Sequence, residues 1–131
     1  MISTKGRYAL RVMLDLAQNS DGSYIPLKDI AERQEISKKY LEIIVKEMVT
    51  GGLIAGVSGK GGGYKLVRKP EKYTVGEILE LMEGTLSTVV CLADSNYDCQ
   101  RRDKCQTLPM WEEFDKIVRD YFYGKKLTDL M

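Results

Sequence analysis

All three cysteines of this chain, Cys91, Cys99 and Cys105, fall in one polar stretch, CLADSNYDCQRRDKC, with the spacing C-x7-C-x5-C. An odd number of thiols cannot pair completely within the chain. Structural cysteines are usually buried among apolar neighbours, whereas these sit among Asp, Asn, Arg and Lys. Thiolates are natural ligands of iron–sulfur clusters, because soft sulfur donors match iron and share charge with inorganic sulfide. Arg101, Arg102 and Lys104 favour thiolate over thiol. Structural zinc is the competing chemistry, but it asks for closely paired ligands and four N or S donors. The sequence has no histidine. Any fourth protein ligand must therefore come from elsewhere. Asp94, Asp98 and Asp103 are the nearby carboxylates, and nothing singles one out.

Enzymatic use of a cysteine is disfavoured, since there is no histidine, no cofactor fingerprint and no acid–base constellation. A chain of 131 residues suffices for one ordinary domain, or for a small domain with an oligomerisation element. With 44% hydrophobic and 30% charged residues, its composition is globular rather than disordered. No apolar run approaches the ~20 residues of a membrane span. The opening MISTKGRYALRVMLDLAQ is amphipathic and lacks a signal-peptide cleavage pattern. The expectation is a cytoplasmic protein without membrane contact. Its thiols are then reduced and available for metal or redox chemistry. Residues 1–70 carry twelve Lys and Arg against seven Asp and Glu, a balance of +5, while residues 71–131 carry eight against twelve, a balance of −4. A basic front half suits a polyanion such as nucleic acid, although a solvated surface gives the same count.

The elements that must position these groups follow from periodicity. Ser3 or Thr4 caps a helix over residues 4–19 with Ala9, Met13, Leu16 and Ala17 on one face. A short helix runs from about Pro26 to Gln34. After the turn EIS, Ser37 caps a third helix whose Leu41, Ile44, Val45, Met48 and Val49 follow i, i+3, i+4, i+7, i+8. Two β-prone runs, near Ile54–Val57 and Tyr64–Val67, flank SGKGGG and read as a hairpin with a flexible tip. This order describes a winged helix-turn-helix. The glycine tip lacks GxxxxGK[ST] and no helix follows it, which argues against an NTPase loop. TVGE has capping-box form, with Thr74 and Glu77 opening a fourth helix that Gly84 stops. From about Pro109 a last helix carries Met110, Trp111, Phe114, Ile117, Val118, Tyr121 and Phe122, a stripe broad enough for a dimer interface. The predicted fold is mainly α with a small β-hairpin wing. It comprises a winged helix-turn-helix over residues 1–84, a cysteine loop over 85–106, and a long dimerisation helix with its tail over 107–131.

STKGRYALRVMLDLA, KDIAERQEISKKYLEIIVKEMVTGGLI, GKGGGYKL and YTVGEILELMEG, in this order and with the late cysteine trio, resemble the Rrf2 family of bacterial transcription regulators over nearly the whole chain. The cysteines point to its iron–sulfur branch. The resemblance implies a homodimer on a near-palindromic duplex. It also implies an iron–sulfur cluster on Cys91, Cys99 and Cys105, [2Fe–2S] favoured over [4Fe–4S], that senses cluster supply or redox and nitric-oxide stress. A cofactor-free regulator that senses thiol oxidation or a partner protein is the alternative. Ser37, Lys39, Tyr40 and Glu42 match DNA-contacting positions of the family. Ser37 and Tyr40 suit phosphates, and Glu42 can accept from cytosine N4 or be a solvated charge. Gly59 and Lys60 suit the minor groove, and Thr4, Lys5 and Arg7 a phosphate at the first helix start. The family pattern is broken in two ways. The first two cysteines stand farther apart than usual, which requires a bulge. The branch's histidine three residues after the last cysteine is replaced by Leu108, and its alternative aspartate near the N-terminus by Arg7.

Overall fold

The computed structural model describes residues 2–131. Helix α1 spans Thr4–Gln18, and it is Ser3 that caps it, its hydroxyl accepting from the Gly6 N–H at 3.2 Å. Ala9, Val12, Met13 and Leu16 recur on one face and are fully buried or nearly so. Helix α2 covers Leu27–Gln34 and ends on Glu35, which takes the left-handed conformation at φ 55°. That turn drives Ile36 into the core, where its N–H reaches the Ala31 carbonyl at 3.2 Å. Helix α3, Lys38–Thr50, starts at Ser37, whose side chain accepts from the Tyr40 N–H. Its Leu41, Ile44, Val45 and Met48 are completely buried. Each such side chain contributes about 1.5–3 kcal/mol by leaving water, enough to fix how α3 lies on α1.

Strands β1, Ile54–Val57, and β2, Gly63–Leu66, pair antiparallel with Ile54 opposite Leu66 and Val57 opposite Gly63. The hairpin is fastened at its base. Ile25 and Tyr64 exchange backbone hydrogen bonds at 2.8 and 2.9 Å, joining the wing to the segment that leads into α2. Gly63 makes this join possible: its φ is +149°, and a Cβ there would meet the Ile25 carbonyl. The buried Tyr73 hydroxyl donates to the Leu53 carbonyl at 2.7 Å and accepts from the N–H groups of Val67 and Arg68.

Helix α4, Val75–Glu83, opens with the expected capping box of Thr74 and Glu77. The expected irregular loop contains a one-turn helix α5, Val90–Ala93, and a 3-10 turn at Arg102–Lys104. Helix α6 runs Leu108–Tyr123. The tail then doubles back. Its Leu127 N–H donates to the Tyr73 carbonyl at 3.0 Å, and the Leu127 side chain is completely buried in the main core. A second, smaller core of Val75, Leu79, Leu86 and Val118 joins α4 to α6. Among the described residues, no helix is long and apolar enough to cross a membrane.

Candidate functional site

The cysteine loop brings its three thiols to one place. Cys91 comes from α5, Cys99 from the following turn and Cys105 from the approach to α6. All three are half-buried and free of disulfides. Together with Arg102 and Leu108 they line one cavity of about 10 Å³, which is space for about one water molecule. The longer Cys91–Cys99 interval is taken up by α5 and by a turn in which the Asn96 N–H donates to Asp94 Oδ1 at 2.9 Å.

Local contacts set the chemistry of this cradle. Arg102 reaches back across the loop and donates to the Cys91 carbonyl at 3.0 Å. The Thr107 hydroxyl lies 3.4 Å from Cys105 Sγ. That hydrogen bond, then the Thr107 backbone N–H, holds the Cys105 thiol below its ordinary range. Burial opposes the shift, while the Leu108 N–H and the Arg101 charge assist it. The donor set is three soft sulfurs and no hard ligand. Leu108 contributes no donor atom, and the Arg102 guanidinium is a hydrogen-bond donor only. Among the described residues, no three His, Cys, Asp or Glu groups are gathered for a single metal ion. Three cysteines lining one cavity match the donor type of a polynuclear sulfide cluster, which the loop would have to spread to admit. From Ser87 to Phe114 no residue is buried, so little packing resists that movement.

Helix α6 carries the cradle at its start and shows two faces. Val118 is buried and Phe122 is half-buried against the second core, and Trp111 is half-buried, whereas Met110, Phe114, Ile117 and Tyr121 are 53%, 39%, 57% and 59% exposed. The stripe expected from the sequence is therefore split. Its inner part packs within the chain, and its outer part is bare.

Away from the cysteine loop in sequence, Glu42 sits on α3 facing the wing. It shares one open depression of about 490 Å³ with Lys38, Ser58 and Gly59, and another of about 480 Å³ with Lys46, Gly56 and Ser58. Lys39 and Lys60 are exposed. Gly59, at φ +88° on the wing tip, has open space where a side chain would be. Tyr40 is half-buried, its ring edge-on to Tyr8 at 5.7 Å. At the start of α1, Lys5 Nζ pairs with Glu47 at 3.1 Å, and Arg7 donates to the Thr4 hydroxyl at 3.1 Å. The Ser3 hydroxyl and N–H both donate to Glu83 Oε1 there, at 2.7 and 3.0 Å. Glu42 and Gly59 thus share one surface. Thr4, Lys5 and Arg7 lie on another element and are partly engaged by their own chain.

Two residues of consequence escaped the sequence reading. Asp15, 1% exposed, is held by Arg33 through Nε at 3.0 Å and Nη2 at 2.8 Å and by Gln34 at 3.0 Å, which locks α1 to the end of α2. Asp115, 7% exposed, accepts twice from Thr88. Both were detectable by position. Asp15 lies three residues after Val12, and Asp115 lies four after Trp111 and three before Val118. Each acid therefore interrupts an apolar face.

Residues 2–131 match the family described as Rrf2, iron-dependent transcriptional regulator. The chain is similar to the HTH-type transcriptional regulator IscR of Aliivibrio salmonicida, with 35% identity over 130 residues, covering 99% of this chain and 76% of that one. The protein of the same name from Escherichia coli O1:K1 shows the same identity, over 79% of its length. Among solved structures, CymR, described as the global cysteine regulator of B. subtilis, superimposes with a TM-score of 0.78 at 32% identity, covering 99% of this chain and 95% of CymR. T. potens IscR does so at 0.76 and 33%, covering 99% and 85%.

Proposed function

We propose that this chain, which belongs to the Rrf2 family of transcriptional regulators, holds one iron–sulfur cluster per subunit on Cys91, Cys99 and Cys105, [2Fe–2S] rather than [4Fe–4S], and reads a near-palindromic duplex as a homodimer. The observation that carries the reading is the convergence of three thiols, from three separate turns, on one cavity at the foot of α6. When bound, the cluster supplies a redox-active and chemically labile centre. The chain's own residues prepare for it. Thr107 lowers the Cys105 pKa and so favours its thiolate. Arg102 ties the loop across through the Cys91 carbonyl and lines the cavity. Leu108 offers no ligand, so a fourth ligand comes from outside the cavity lining.

The bare stripe of Met110, Phe114, Ile117 and Tyr121 suits a second copy of the same helix, since large apolar side chains mark interface cores. In such a dimer, two α3 helices address major-groove half-sites about one helical turn, ~34 Å, apart. Ser37, Lys39 and Tyr40 hold phosphates and Glu42 reads a base edge. Gly59 and Lys60 bring the wing to the minor groove, while Thr4, Lys5 and Arg7 add backbone contacts. The decisive measurement is iron, sulfide and visible absorption on anaerobically purified protein, with its mass at micromolar concentration. Expected are coloured dimers that lose most of their absorption when any one of the three cysteines becomes Ala. Colourless, iron-free protein would sink the cluster reading. It would favour a cofactor-free thiol sensor, a second reading supported by the likeness to CymR and by the lowered pKa of Cys105.

A further inference from the structure

Two hydrogen bonds join the front of the cysteine loop to the middle of α6. The Thr88 N–H donates to Asp115 Oδ1 at 3.0 Å, and the Thr88 hydroxyl donates to the same oxygen at 2.9 Å. Asp115 and Asp15 are the buried charged residues among those described. Asp15 is matched by Arg33, but Asp115 has no cation, and its Oδ2 is buried without a hydrogen-bond partner. Burying a carboxylate oxygen in this way opposes folding. An apolar residue, as at Val118 one turn on, would serve packing better.

What the carboxylate holds explains its presence. Helix α5 is a single turn without a side-chain cap, too short to persist unaided. No residue from Ser87 to Phe114 is buried to anchor it. We infer that Asp115 is the positioning residue of the thiol cradle. By gripping Thr88 it sets where α5 begins, and so where Cys91 stands relative to Cys105. Cys105 is referenced to the same helix through Thr107. Both outer thiols are therefore registered on α6, the helix whose far face is bare, and a displacement at the thiols is delivered directly to that helix. The inference rests on reading the three thiols as one cradle, but not on what they bind.

The test uses the metal-free, reduced full chain. Each thiol's rate of alkylation by iodoacetamide is followed by peptide mass spectrometry, alongside thermal unfolding. In Asp115→Ala, Cys91 should react about tenfold faster while Cys105 stays within about twofold, because two local hydrogen bonds are lost but not the fold. Asp115→Asn retains an acceptor for Thr88 and should restore protection. Thr88→Val removes only the hydroxyl and should give a smaller rise. An unchanged Cys91, or equal acceleration of Cys91 and Cys105, overturns the inference. If Asp115→Ala does not fold, Thr88→Val decides, and no change at Cys91 then overturns it. Reconstitution with iron and sulfide is read separately, so failure to take up a cluster removes the cluster and leaves the clamp intact.

Discussion

Between Ala9 and Met48 the head of the molecule interlocks side chains that water does not reach, whereas the loop from Ser87 to Phe114 buries none. The head specifies its shape by volume: ridges of Leu, Ile, Val and Met leave α1 and α3 one way to fit. The loop specifies its shape by a few directed bonds, Thr88 to Asp115, Arg102 to the Cys91 carbonyl, and Cys105 with Thr107. A surface that must present constant geometry to a long helical polymer benefits from the first kind of construction. The cluster site proposed for the loop would benefit from the second, because directed bonds can be exchanged one at a time.

The contrast is sharpest in stability. Ile44→Ala, on the buried face of α3, should cost about 2–5 kcal/mol in urea unfolding. A loss below about 1 kcal/mol would mean that the head is not held by packing. Next in size is a change confined to the outer face of α3. Glu42→Ala should reduce discrimination at one base pair by roughly 1–3 kcal/mol while binding to other sequences holds or rises. Binding to a panel of single-base operator variants at fixed salt measures this, and an unchanged preference makes Glu42 a solvated charge.

Glu77 lies between the two kinds of construction, in an otherwise packed region but bonded to Arg68 and to the Thr74 N–H. Burial pushes its pKa up, yet the Arg68 hydrogen bond and charge and the Thr74 bonds outweigh burial and leave it lowered. Its stabilisation is therefore complete above the ordinary value of 4.5 and is lost as pH falls through the lower folded value. Glu77→Gln should cost about 1 kcal/mol at neutral pH, and the gap from wild type should close in acid. A gap that widened in acid would reverse the assignment. The smallest effect belongs to the loop. Cys99→Ser in metal-free protein should change unfolding by less than about 0.5 kcal/mol. A larger loss would show that the loop is part of the packed body after all.

The same division governs what could be read in advance. The helices of the head were legible because their burial is periodic and their caps are local. Ser37 and the Thr74–Glu77 box each act over three residues. The wing was legible from its two β-prone runs around glycines. The convergence of the thiols was legible only as composition, since nothing in a spacing of seven and five states which turns intervene. Contacts between distant residues stayed hidden. Arg33 meets Asp15 and Asp115 meets Thr88 by pairings that no single-helix pattern encodes. Leu127 sits in a polar-looking tail, KKLTDLM, and enters the core only because that tail doubles back beside Tyr73.

The wing's construction has a consequence for how the protein can diverge. Its base admits almost no substitution, because Gly63 sits against Ile25 and the Tyr73 hydroxyl spans three backbone groups. Its tip differs: Ser58 and Lys60 are exposed, while Gly59 and Gly61, at φ +88° and +79°, still favour glycine. Substitutions that recharge the tip at Ser58 or Lys60 therefore accumulate without passing through unfolded ancestors. On the proposed minor-groove role of the wing, lineages can retune which sites the regulator occupies while inheriting the same scaffold.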